Sequence, residues 1–211
     1  MTEKANFSNI YQFYDLINTV LTLGFDKSWR KKAVNNLIGN SVLDLGSGTG
    51  AAFDQLFNFE TTAVDPDKKM LELNTFENKV QGFAEDLPFE DNSFDNVFCS
   101  FVWRNVSDTN KALHEVYRVL RPGGKFVLLD MTRPKNSLLR VLHKIGTFTV
   151  LHLIGLVTFN LKEYRFLYNS LDFYPQPEEH LSKDNFIDLK IERMGLFNLS
   201  LIHISEPTRR S

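Results

Sequence analysis

Val42-Leu43-Asp44-Leu45-Gly46-Ser47-Gly48-Thr49-Gly50 decides the fold. Apolar residues around a single Asp, running into glycines at alternate positions, predict a buried parallel strand ending in a tight turn. Gly46, Gly48 and Gly50 admit positive φ and carry no Cβ that would hold a ligand off the backbone. A helix from about Ala51 is expected to aim free N–H groups at whatever lies over the turn.

The glycine spacing alone leaves the ligand open. Gly46-x-Gly48-x-x-Ala51 also fits the relaxed dinucleotide fingerprint, with Asp65 near the position of a ribose-binding acid. Asp44 weighs against that reading, because a carboxylate beside the turn repels a diphosphate and attracts an ammonium or sulfonium group. The competing reading makes Asp44 a hydrogen-bonded turn residue.

Outward from the turn, strand and helix patterns alternate. Strands are predicted over 61–65, 79–84, 94–101 and 125–131, and a sixth from Gly195. Helices are predicted over about 10–21, 27–37, 67–73, 109–120, 163–171 and 181–194, with Gly24 ending the first and Ser107 or Asp108 capping the fourth. Arg121-Pro122-Gly123-Gly124 breaks the chain before the fifth strand. This alternation means an α/β fold with a mainly parallel sheet covered on both faces. Residues 138–161 are the most apolar part of the chain. Their uncharged stretch, 145–159, is read as too short to span a bilayer, and as either a core helix pair or an apolar cap over the site.

Composition narrows the classes. The chain has 211 residues, 43% hydrophobic and 24% charged, and a formal net charge of −2, so it fits one soluble domain without a nucleic-acid footprint. Cys99 is the only cysteine, which excludes an internal disulfide and a Cys-based zinc cluster; no metal site is expected. The N-terminus lacks an apolar signal core, and a cytoplasmic location follows as the expectation. Residues 199–209 read as the translation of a transposon adapter used in sequencing libraries. The natural sequence is therefore expected to stop near Asn198, with 199–211 a non-native tail outside a single domain of residues 1–198. Within that domain, residues 7–38 are expected as a helical lid or an ordinary packing hairpin, and 136–172 as an apolar cap.

The chain resembles the quinone-biosynthesis C-methyltransferases that act on demethylmenaquinol and ubiquinol precursors. The resemblance rests on Tyr14-Asp15-Leu16-Ile17-Asn18, Leu23-Gly24, Trp29-Arg30, the glycine turn and Ala84-Glu85-Asp86-Leu87-Pro88-Phe89. Arg104-Asn105-Val106-Ser107-Asp108, Arg118-Val119-Leu120-Arg121-Pro122-Gly123-Gly124, Tyr164-Arg165-Phe166-Leu167 and Tyr174-Pro175 complete it. It covers nearly all of residues 10–198.

The resemblance implies a Rossmann-like class I methyltransferase using S-adenosylmethionine. Its family contacts fall on Thr49, Asp65, Phe83, Ala84 and Ser100, beside Asp44, Gly46 and Gly48 of the turn. It also implies a lipophilic quinol substrate, peripheral contact with the inner face of a membrane, and a homodimer among the assembly states. Phe83 stands where the family has Asn or Asp, and Val102-Trp103 replaces a smaller Gly-Leu pair expected to shape the substrate pocket. Arg104 is the expected holder of a developing phenolate, with Tyr14 or a water as proton relay. The family ends in a final antiparallel strand, which the adapter reading leaves missing, with the fifth strand an open edge. A nicotinamide oxidoreductase and a cofactor-binding domain without turnover are the alternatives.

Overall fold

The predicted strand before the glycine turn is β1 (Ser41–Leu45), flanked in parallel by β2 (Glu60–Asp65) and β4 (Phe94–Ser100). The computed structural model describes residues 18–20, 22, 24–173, 187–194 and 199–205. Seven strands form one sheet in the order β3-β2-β1-β4-β5-β7-β6, with β3 at Asn78–Gln81, β5 at Leu120–Met131, β6 at Ile187–Met194 and β7 at Leu199–Ser205. All pairings from β3 to β5 are parallel, so each connection is a crossover that returns over a sheet face.

Burial on both faces explains the near-continuous apolar runs. Adjacent residues in one strand enter opposite cores: Val42 against Leu43, Val127 against Leu128, Leu201 against Ile202. One core takes Ala33 and Val34 of α1 (Asp26–Val34), Leu56 of α2 (Phe53–Leu56) and Met70 of α3 (Lys68–Leu73). The other takes Ala112, Leu113, Val116 and Val119 of α4 (Thr109–Val119), whose first turn is capped by the Asp108 carboxylate accepting from Asn110 and Lys111 N–H at 3.0 Å. Cys99 is fully buried in this second core, where burial pushes its thiol pKa well up. Gly24 has φ +79, the left-handed turn expected there.

The C-terminal part differs from the sequence expectation. Residues Ile187–Met194 form strand β6, where a helix is predicted, and β7 is Leu199–Ser205, within the segment expected to lie outside the fold. In β6, Ile187, Leu189 and Ile191 alternate with Asp188, Lys190 and Glu192, a period of two that suits a strand better than a helix. The final antiparallel strand expected to be missing is present. β7 pairs with β5 from Lys125↔Ser205 to Met131↔Leu199 and with β6 on its other side, and β5 is not an open edge. Ser200, Leu201 and Ile202 are fully buried, because alternation sends Leu201 and Ile202 into opposite cores.

After β5 come α5 (Ser137–Val157) and α6 (Leu161–Phe173), packed on each other. The apolar stretch is one 21-residue helix, long and apolar enough by length and composition to cross a membrane, so shortness does not exclude a span. The helix buries a stripe of His143, Thr147, Leu151 and Gly155, with Val150 and Ile154 partly buried beside it. A Cβ on Gly155 would meet Leu161 Cδ2 at 3.0 Å and Tyr164 Cδ2 at 3.2 Å, so glycine there permits close helix contact.

Candidate active site

The turn after β1 stands at the carboxyl end of the sheet, where doubly wound sheets hold ligands. Gly46 has φ +71, and a Cβ there would lie 2.4 Å from Val102 Cγ1, so only glycine fits. The expected helix from Ala51 is shorter and later: α2 begins at Phe53 and has 4 residues. The N–H groups over the turn therefore come mainly from the loop itself.

Asp65 holds that loop. One carboxylate oxygen accepts from Gly48 N–H at 2.9 Å and the other from Asp67 N–H at 2.8 Å. Burial raises its pKa to about 6 against the lowering effect of those two bonds. Asn74 braces the same loop, donating to Ser47 Oγ at 3.1 Å and Gly48 O at 3.0 Å.

Two cavities share Gly46, Gly48 and Val102 as a wall. The larger, about 970 Å³, runs past Asp65, Met70, Phe83, Ala84 and Asn105. The segment that follows Glu85 and Asp86 of its lining is held by Glu115, which accepts from Leu87 N–H at 2.8 Å, and by Arg118, which donates to Leu87 O at 3.0 Å and Phe89 O at 2.7 Å. Phe83 presents its ring at the rim, 51% exposed, a face on which a planar base can stack. The smaller cavity is lined by Asn18, Arg30, Asp44, Thr49 and Ser100. The predicted binding residues thus fall into two groups, with Asp65, Phe83 and Ala84 at the large cavity and Asp44, Thr49 and Ser100 at the small one.

Asp44 is 1% exposed and its Oδ2 has no hydrogen-bond partner. Burial pushes its pKa up to about 7; Arg30 pulls it down and Asp65 pushes it further up. A buried carboxylate oxygen without a partner is costly unless a ligand completes it. This favours the ligand-facing reading of Asp44 over the turn reading.

Arg30 was not singled out as a binding residue from sequence. It is buried on α1, donates to Asp26 Oδ2 at 2.7 Å and to Ser100 Oγ at 3.4 Å, and stacks over the Phe101 ring at 5.0 Å. Helix spacing places Asp26 beside it at i−4 but gives no hint of Ser100 and Phe101, about 70 residues further on. A cation and an anion facing one small cavity match the two charges of an amino-acid zwitterion.

Arg104 lies apart from both linings. Its side chain, 2% exposed, forms an ion pair with Asp130, which also accepts from Arg104 N–H at 3.0 Å and Met131 N–H at 2.8 Å. Asp130 is the second residue missed from sequence, and a lone acid in Phe126-Val127-Leu128-Leu129-Asp130-Met131 was the available signal. The expectation that Val102 and Trp103 both shape the pocket divides. Val102 lines both cavities, whereas Trp103 is fully buried against Phe126, with ring centroids 5.1 Å apart. Tyr14 lies outside the described residues. Among the described residues no His, Cys, Asp and Glu group could hold a metal ion.

Comparison with known proteins gives the family and the fold. The model of the ubiE/COQ5 methyltransferase family matches residues 3–188. The ubiquinone/menaquinone biosynthesis C-methyltransferase UbiE of Rickettsia bellii is 37% identical over 194 residues, covering 82% of this chain and 78% of its own. Its counterpart in Rickettsia akari is 33% identical over 215 residues, covering 92% and 86%. Among solved structures, a SAM-dependent methyltransferase of Thermotoga maritima superposes with a TM-score of 0.68 at 20% identity, over 95% of this chain and 100% of that one, a likeness of fold.

Proposed function

The chain belongs to the ubiE/COQ5 methyltransferase family, whose cofactor is S-adenosylmethionine, and we propose that it methylates a ring carbon of a reduced, prenylated quinol in ubiquinone or menaquinone biosynthesis. The observation that carries the reading is Asp44, a buried carboxylate with an unpartnered oxygen, with Arg30, itself paired with Asp26, in the lining of the same small cavity. Asp44 and Arg30 fit the ammonium and carboxylate of the cofactor's amino-acid end. Asp65 fits the ribose hydroxyls, and Phe83 and Ala84 border the space for adenine. A diphosphate would meet Asp44 unfavourably, which weighs against a nicotinamide cofactor.

S-adenosylmethionine supplies an activated methyl group on sulfonium. In the transfer a bond forms between methyl and ring carbon, the sulfur–methyl bond breaks, and the ring carbon loses its proton. A quinol that has lost a phenolic proton is nucleophilic at the adjacent carbon, so the chief requirement on the protein is in-line alignment. Val102, packed on Gly46 in both linings, sets the space beside the turn. Arg104, expected from the resemblance to hold the phenolate, is paired with Asp130 outside both cavities; its proposed role is to fix the turn that carries Asn105 next to Val102.

Methyl transfer from labelled S-adenosylmethionine to a reduced demethylated naphthoquinol or benzoquinol is the test. The expected result is product with the quinol and none with the oxidised quinone, which lacks the phenolate. Equal rates with both forms would sink the mechanism, and cofactor binding without turnover on either ring class would sink the proposed substrate.

A further inference from the structure

Helix α5 turns the usual partition of side chains inside out. The stripe it buries includes His143 and Thr147, bonded to the buried Arg133 at 3.0 and 2.8 Å. The face it leaves outside carries Leu142, Ile145, Leu153, Leu156 and Val157, each more than half exposed, and Phe159 beyond the helix end is 94% exposed. Contiguous apolar surface of this extent on a folded domain marks a contact with an apolar partner.

Charge identifies the partner. No Asp or Glu occurs from residue 131 to residue 162, and the exposed cations Lys135 and Arg140 at one end and Lys162 and Arg165 at the other bracket the apolar face. Long basic side chains at the margins of an apolar surface suit the headgroup layer of an anionic bilayer, with their stems in the acyl boundary and their charges on phosphate. A spanning role does not fit, because the buried stripe seats α5 on α6 and Arg133 ties its first turns to the end of β5.

We propose that the outer face of α5 docks on the surface of an anionic lipid bilayer, lying in the interface plane. The inference deepens the quinol reading and rests on it for its purpose. Helix α5 follows β5 at the carboxyl end of the sheet, and α6 packs beside the Trp103–Asn105 turn that carries Arg104, so docking brings this end of the sheet to the lipid. A prenylated acceptor could then reach the site without crossing water.

The test is co-sedimentation of the full chain with phosphatidylcholine vesicles containing phosphatidylglycerol, and with phosphatidylcholine vesicles alone. Binding should favour the anionic vesicles and weaken as salt is raised. Lys135→Glu with Lys162→Glu should lower it several-fold for each charge, since one basic residue at such a surface is worth about fivefold. Ile145→Ser with Leu153→Ser and Leu156→Ser should lower binding to both vesicle types at least about tenfold. Adenosylhomocysteine affinity unchanged in both variants controls for folding.

Undiminished binding in the triple variant would overturn the inference. So would resistance of the bound protein to alkaline extraction, which would indicate a span. A dimer in solution that the triple variant dissociates, without vesicle binding, would assign the face to a second copy. Vesicle binding that obeys these expectations while no quinol is methylated would instead overturn the substrate reading and leave the docking in place.

Discussion

At the ends of β1 and β2 the protein buries two carboxylates, Asp44 and Asp65, whereas along α5 it leaves leucine and isoleucine side chains in solvent. Both arrangements oppose the ordinary sorting of polar and apolar groups, and they do so for complementary reasons. A buried charge without a full set of partners is poised for a ligand of opposite charge. An exposed apolar face bordered by cations is poised for an apolar phase with an anionic skin. One region of the molecule is thus incomplete in charge and another in apolar contact.

The largest expected effect concerns a buried ion pair that is already complete. Asp130→Ala removes the carboxylate that pairs with the Arg104 guanidinium at 2% exposure and should cost about 3–5 kcal/mol of stability. Chemical denaturation measures this. A loss under about 1 kcal/mol would show that the site end tolerates incomplete charge even where the fold has paired it. Asp130→Asn is expected to fold better and to lower turnover more than cofactor affinity, since it disturbs the orientation of Arg104.

Two neighbours on α5 test the other side of the comparison. Leu151 is fully buried and Leu153 is 58% exposed. Leu151→Ala should cost about 2–5 kcal/mol, whereas Leu153→Ala should fall within about 0.5 kcal/mol of the parent. Similar melting losses for both would mean that the outer face is packed in solution.

Asp44→Asn should weaken adenosylhomocysteine binding by about 1.5–3 kcal/mol, through loss of a charged hydrogen bond, while the ligand-free protein melts no lower. The pH dependence follows from the same group. With pKa values raised to about 7 for Asp44 and about 6 for Asp65, the folded protein holds more protons than the unfolded chain from about pH 4 upward. Stability of the ligand-free form should therefore fall as pH rises through that window and level off above about 7. A cofactor that needs the carboxylates releases those protons, so its affinity should rise over the same range. Calorimetry in buffers of different ionisation enthalpy reads the released protons, and their absence would detach Asp44 from the cofactor.

The smallest effect is expected at Phe83→Asn. A side-chain acceptor restored at the rim of the large cavity should tighten adenosylhomocysteine binding by about 0.5–1.5 kcal/mol. No gain in titration would show that ring stacking and backbone contacts already suffice.

Local stereochemistry fixed what was legible from sequence. The glycine turn was readable because positive φ and the close approach of Val102 at Gly46 exclude other residues. The parallel strands were readable because burial on both faces demands continuous apolar runs. Asp44 was readable because a carboxylate in such a run has few reasons to be there. Residues 187–194 were misread although Ile187, Leu189 and Ile191 alternate at period two, because six residues of alternation were read inside the longer window 181–194. Residues 199–205 were set aside on the origin of their codons, whereas pairing responds only to alternation and to the unfilled backbone groups of β5.

The sequence by itself determined the parallel α/β scaffold, the glycine cradle and the acids placed at it, since each follows from residues a few positions apart. Only the tertiary structure decided that Arg30 reaches Ser100, that Asp130 takes the Arg104 guanidinium, that β7 completes the sheet, and that α5 turns its leucines outward. Those outcomes depend on which surfaces meet across tens of residues. A helix of apolar composition buries whichever stripe its neighbours can cover, and α6 covers only one.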